Sequence, residues 1–151
     1  MRRAAEKYYV TGLTQVGIRN VSSTSKEGYK DAKAMNSDIL SVRQTREIGP
    51  KNLVGRIPTN SHVYVTINID AFCPSIAAGT GTPSHGGFLY YDVLEILQHL
   101  SKRNNIVGID LVELAPDYDH SGSTTMLAAQ ILLNFLRCIF IIKNSLQIFF
   151  G

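Results

Sequence analysis

Residues 63–69 read Val-Tyr-Val-Thr-Ile-Asn-Ile, and residues 106–112 read Ile-Val-Gly-Ile-Asp-Leu-Val. Runs this rich in β-branched side chains are strands. Between them, residues 92–101 place Val93, Ile96, Leu97 and Leu100 on one helical face, and Glu95, Gln98 and the adjoining Lys102 on the other. A second helical pattern, residues 124–137, follows the second strand; Gln130, Asn134 and Arg137 form a narrow polar stripe on a helix otherwise expected to be buried. Strand, helix, strand, helix is the order of a parallel sheet with right-handed crossovers. Both runs are apolar on both faces, which predicts neighbouring central strands covered on both sides. The expected fold class is α/β: a three-layer α/β/α arrangement with a mostly parallel sheet.

Upstream, residues 13–18 form a strand ended by Arg19-Asn20, the Ser- and Gly-rich residues 21–29 read as a loop, and residues 39–42 form another strand. Pro50 suits a first helical turn, with Leu53, Val54 and Ile57 following at helical spacing. Residues 73–87 hold four Gly and two Pro and must be a loop; residues 117–123 are a second polar loop. There is no internal repeat and no linker. Residues 1–151 are expected to be one domain, with 139–151 an atypical apolar tail.

A hydrophobic fraction of 44% with 18% charged residues excludes a disordered chain. The net charge of +3 is spread over short pairs such as Arg2-Arg3 and Lys102-Arg103, so nothing points to nucleic acid. Cys73 and Cys138 make no disulfide framework, which indicates a reducing compartment. The cytoplasm is the first expectation. The mitochondrion is the second, from a basic N-terminal run that Glu6 interrupts. Residues 131–150 are apolar but carry Arg137 and Lys143, each costly at a membrane centre, and read as a buried helix plus tail.

Ligands of open α/β sheets bind beyond the carboxyl ends of the strands. There the first strand ends Asn68-Ile69-Asp70 and the second Val112-Glu113-Leu114-Ala115-Pro116. Alternation along a strand puts Asn68 and Asp70 on one side, where two oxygens can share a hard divalent ion. Taken alone, a strand-end Asp more often caps a loop, and such a Glu more often lies on the surface. Gly79-Thr80-Gly81-Thr82-Pro83 is no phosphate loop: no Lys-Ser/Thr follows, and Ser84 stands where a dinucleotide fingerprint needs Gly. His62, His85, His99 and His120 have no metal-ligand spacing; His85 and His120 lie in loops near the strand ends, and His99 is expected to be solvated. Cys73 has no partnered base and reads as a buried, inert thiol.

Taken in order, these segments resemble the ureohydrolases, the agmatinase and arginase family. That family carries a strand ending Asp-x-Asp-x-x-Asp-Pro, a loop close to Ala-Pro-Gly-Thr-Gly-Thr-Pro, and then Gly-Gly and a helix. Here the corresponding run is Asn68-Ile69-Asp70-Ala71-Phe72-Cys73-Pro74, then Ala78-Gly79-Thr80-Gly81-Thr82-Pro83, then Gly86-Gly87. The family's Val-Glu-Val-x-Pro is similar to Val112-Glu113-Leu114-Ala115-Pro116, and Tyr118-Asp119 after it resembles the agmatinase branch. Gln15-Val16-Gly17-Ile18-Arg19 resembles the family's Gln-Ile-Gly-Ile-Arg strand. The resemblance runs from Leu13 to Cys138 and is to the C-terminal half of the family.

The resemblance implies an arginase-like fold and a reaction in which two Mn²⁺ ions activate a hydroxide that attacks a guanidino carbon and releases urea. It implies that Asp70 is a metal ligand, that Asn68 stands where the family has a bridging Asp, and that Glu113 pairs with the substrate guanidinium. Three departures follow. A neutral carboxamide at position 68 is a poor bridge between cations, and Cys73 replaces the third Asp. The family's other ligands, a His after Gly-Gly-Asp and an Asp-x-His-x-x-x-Asp segment, do not occur in this sequence. The expectation is an agmatinase-like fragment with no activity alone, or else a non-catalytic partner or structural subunit of an active ureohydrolase, or a truncated gene product. It should self-associate or pair with a full-length relative.

Overall fold

The computed structural model describes residues 1–19 and 25–142. A short helix α1 (Arg2–Ala5) precedes β1 (Leu13–Ile18), α2 (Lys26–Ala34), β2 (Ser37–Ser41), α3 (Val42–Ile48) and α4 (Pro50–Gly55). The second part holds β3 (His62–Asn68), α5 (Tyr90–Arg103), β4 (Asn105–Val112) and α6 (Ser123–Arg137), which runs on into a π turn, Cys138–Ile142.

Among the described residues, both pairs of named strands run parallel. β3 pairs with β4, with Asn68 opposite Val112, so the expectation of neighbouring parallel strands holds. β1 pairs with β2, with Leu13 opposite Ser37. Among the described residues the two pairs are separate two-stranded sheets, where the sequence reading has one continuous sheet.

The core lies on one face of β3–β4. Ile67 of β3 and Ile69 beyond it pack with Leu94 and Leu97 of α5 and with Leu127, Ile131 and Phe135 of α6. The opposite face corrects the expectation of strands covered on both sides: Tyr64 and Val107 are each 61% exposed. A register shift between Val63 and Tyr64 brings Tyr64 opposite Gly108. Its ring lies where a β-carbon on Gly108 would stand, 2.6 Å away, and its hydroxyl donates to Asp110 at 2.9 Å.

Three further expectations change. Residues 21–29 are not all loop: from Lys26 they are α2, and Ser25 caps it by accepting from the Gly28 amide at 3.1 Å. Serine there is a helix-start signal. Helix α6 is not buried apart from a polar stripe, because Met126 and Leu133 are exposed beside it. His99 is half-buried where solvation is expected. Ser123–Ile141 is long and apolar enough to cross a membrane by length and composition; here one face of it is buried against α5 and β3. Of the apolar tail at 139–151, Ile139 packs on the core and Phe140 is exposed, while 143–151 lie outside the described residues.

Two clasps join the halves. Arg46 of α3 donates to the Asp92 carboxylate at 2.7 Å and to the Gly87 carbonyl at 3.1 Å. Asp92 also accepts from the Leu89 amide at 2.9 Å, so this ion pair closes the start of α5. Arg19, just after β1, donates to the carbonyls of Asp70, Phe72 and Ser84, just after β3. Both strands therefore end at one edge.

Candidate functional site at the carboxyl edge of β3 and β4

Asp70 and Glu113 lie on that same edge, because Asn68 and Val112 are partners in the ladder. The site's local geometry differs from simple strand alternation. The chain leaves β3 at Asn68 and enters a 3-10 turn, Ile69–Ala71. The Asn68 side-chain oxygen accepts from the Asp70 amide at 2.8 Å, capping the turn. Asn68 and Asp70 thus do not present two parallel oxygens from one strand face.

The Asp70 carboxylate is engaged from the glycine-rich loop. One oxygen accepts from the Thr80 hydroxyl, and the other accepts from the Thr82 hydroxyl at 2.6 Å. Thr80 is buried and Asp70 half-buried, so these bonds hold the loop down on the end of β3. From the other side, Arg19 holds the Asp70, Phe72 and Ser84 carbonyls. Burial lowers the Arg19 pKa, and the charges of Asp70 and Cys73 work against that.

Glu113 is exposed, with a φ of 66°. A left-handed conformation costs a non-glycine residue about 1–2 kcal/mol. Pairing beyond it offsets the strain: Leu114 bridges antiparallel to Thr80, and the Ala115 amide donates to the Gly79 carbonyl at 2.9 Å. The Gly79 amide in turn donates to the buried Thr124 hydroxyl at 2.9 Å. Asp119 accepts from the Thr124 amide at 3.2 Å, and from the Thr125 amide and hydroxyl at 2.8 Å each. Gly79 is required by this closure, since a β-carbon there would stand 2.5 Å from that of Asp119. The loops at 73–87 and 115–122 are thereby joined as walls of one edge.

Arginase-family sequences as a group match residues 1–138 of this chain. The chain belongs to the arginase family. Agmatinase from Neisseria meningitidis serogroup C is 42% identical over 125 residues, covering 81% of this chain and 38% of that protein. The human mitochondrial guanidino acid hydrolase is 33% identical over 127 residues, covering 82% and 36%. Among solved structures, the proclavaminate amidino hydrolase of Streptomyces clavuligerus superposes with a TM-score of 0.76 at 31% identity, covering 83% of this chain and 42% of that one. This chain therefore spans less than half the length of these arginase-family relatives. Its fold is a partial arginase-like α/β fold.

The manganese that the family resemblance implies is not matched by the donors present. Among the described residues, no group of three or more His, Cys, Asp or Glu side chains could hold an ion. Asp70 offers one carboxylate already bonded to two hydroxyls, and Asn68 offers an amide oxygen committed to a cap. A hard divalent ion needs about six oxygen ligands. His85 and His120 are exposed in their loops and are not brought to a common point with Asp70.

Cys73 is half-buried where a buried thiol is expected. Hydrogen bonding from the Ser75 side chain, then from the amides of Ser75, Gly86 and Gly87, holds its pKa below the ordinary thiol value against the opposing effect of burial. Sequence reading did not single out Thr80, Thr82, Arg19, Asp119 or Thr124 as working residues of this edge. The available signal was threonine at i and i+2 inside a glycine loop, directly downstream of a strand-end Asp.

Proposed function

We propose that this chain carries the guanidinium-recognising edge of an agmatinase-like guanidino hydrolase without a working metal centre, and releases no urea by itself. The observation carrying this reading is the state of Asp70 and Asn68. Each Asp70 oxygen accepts a threonine hydroxyl, the Asn68 oxygen caps a turn, and among the described residues no third ligand joins them. Glu113 is the remaining functional carboxylate. It is exposed at the strand end and free to accept a guanidinium through two parallel N–H bonds, the geometry in which carboxylates bind that group best. The family's reaction uses Mn²⁺ to supply the nucleophile. With the donors present here, no step of it is assigned to this chain.

The test is urea release by the purified chain with Mn²⁺ and either agmatine or 4-guanidinobutyrate, together with calorimetric titration of Mn²⁺. The expected result is no urea above background and weak binding at most. Turnover, or uptake of two equivalents at sub-micromolar affinity (about −8 kcal/mol or tighter each), would overturn the reading.

A further inference from the structure

We propose that α6 is the contact face of a two-fold dimer of this chain: two copies of the helix pack antiparallel, and Phe140 of each subunit enters a groove beside Met126 of the other.

Helix α6 carries two apolar stripes. The inner one, Leu127, Ala128, Ile131, Phe135 and Cys138, is buried in the core with α5 and β3. The outer one is Met126, Ala129, Leu133, Leu136 and Phe140, all exposed, with Leu133 at 67%. Its members stand three, four, three and four residues apart. At about 100° of rotation per residue they lie on the side of the helix opposite the buried stripe. Phe140 falls in the π turn and is still open, at 64%. Alternating steps of three and four are the spacing of knobs in a coiled coil, so the occupant that fits this seam is a second helix with the same spacing.

The register follows from the side chains. A two-fold axis at Leu133 sets Leu133 on its copy, Ala129 against Leu136, and Met126 against Phe140. Small meets large, and a pliable thioether meets an aromatic ring, a favourable pairing. One patch serves both subunits, as a closed dimer requires. Beside Met126 opens a groove of about 490 Å³, lined also by Ile76, Tyr90, Leu127 and Gln130. The antiparallel register brings Phe140 of the partner subunit to that groove. Parallel pairing would set Phe140 on its own copy and leave both grooves open. It would also bring the two Arg137 side chains level and align the helix dipoles, whereas antiparallel pairing separates the charges and opposes the dipoles.

A bilayer fits this helix less well. For Ser123–Ile141 to cross a membrane, Ile131 and Phe135, both fully buried, would have to leave the core. The seam is also a narrow stripe between Thr125 on one side and Gln130 and Arg137 on the other, not the broad apolar face of an interfacial helix. It is short against the roughly 20–30 residues a side of a stable interface, so the dimer should exchange with monomer around a midpoint on the order of 10 μM.

The test is sedimentation velocity on the full 151-residue chain across a dilution series. It is run in EDTA and reads no turnover, so its outcome is separate from that of the proposed function. The expected result is a monomer–dimer equilibrium. Leu133→Glu, with unaltered circular dichroism, should weaken dimerisation by on the order of a hundredfold or more, since each dimer carries the substitution twice. In a Cys73→Ser background, Leu133→Cys should give a disulfide-linked dimer on mild oxidation. Met126→Cys should not, because antiparallel packing holds its two copies about 20 Å apart along the helix. If Leu133→Glu fails to fold, the cysteine pair decides alone. Four results would overturn the proposal: monomer at every concentration, or assemblies larger than a dimer; Leu133→Glu dimerising as tightly as wild type; Met126→Cys cross-linking as readily as Leu133→Cys, which marks a parallel seam; or flotation with phosphatidylserine vesicles that Leu133→Glu abolishes while no dimer forms, which marks a bilayer as the occupant.

Discussion

Gly86 and Gly87 are adjacent, yet alanine at each should fail for different reasons. A β-carbon on Gly87 would stand 2.4 Å from the Phe72 carbonyl carbon, 2.5 Å from its oxygen and 2.6 Å from the Cys73 nitrogen. These are main-chain atoms and cannot swing aside. Relief requires separating the strand-like bridge between Phe72 and Phe88, which contains the bonds from the Cys73 amide to Phe88 and from the Phe88 amide to Ala71, 2.9 Å each. Overpacking costs about 1–3 kcal/mol, and each bond about 0.5–1.5 kcal/mol, so Gly87→Ala should cost about 2–6 kcal/mol. Gly86 has open space around it but a φ of 76°. Gly86→Ala should cost only the left-handed penalty, about 1–2 kcal/mol, and Gly86→Asn less, since Asn tolerates that conformation. Urea unfolding followed by circular dichroism at low protein concentration measures all three. A Gly87→Ala variant as stable as Gly86→Ala would refute the steric argument, and Gly86→Asn no better than Gly86→Ala would refute the conformational one.

Thr124→Val should cost about 1–3 kcal/mol in the same assay, because it strands the buried Gly79 amide. Asp119 should make stability acid-sensitive. Burial pushes its pKa up, but hydrogen bonds from Thr125 and Thr124 outweigh that and leave it below the ordinary 3.8. A depressed carboxylate stabilises the fold above its unfolded pKa and loses that contribution as pH falls through the folded one. Melts of wild type and Asp119→Asn across the acid range should therefore converge below pH 3.8; parallel curves would contradict the assignment. Iodoacetamide at neutral pH should label Cys73 before Cys138, whose thiol is buried and pushed up by that burial. Mass spectrometry of partial digests gives the order, and equal rates would count against it.

The strands and long helices were legible because their signals are local. Val63, Val65 and Ile67 favour extended backbone, and Val93, Ile96, Leu97 and Leu100 recur at helical spacing whatever surrounds them, though the structure buries Leu94 more deeply than Val93. Asn68 and Asp70 were located correctly at the sheet edge, but their orientation was not, because the pleat stops at Asn68, where its own side chain closes a 3-10 turn. Coverage of β3–β4 was also misread. Tyr64 and Val107 have the composition of a buried face, and composition does not reveal whether a covering layer is present. Arg19 could not be connected to Asp70 from sequence, since 51 residues separate them and the contact is to a main-chain oxygen.

The stitching of Gly79 to Ala115 and Thr124 bears on motion as well as position. Active-site loops commonly serve as lids, swinging on hinges to admit a ligand and exclude water. Here the glycine-rich loop is bonded at once to the segment after β4, to the first turn of α6 and to Asp70. Its amides should open together with those of Thr124 and Thr125 as a single cooperative unit. That rim is therefore built as a fixed frame, with the exposed Glu113 beside walls that should not swing.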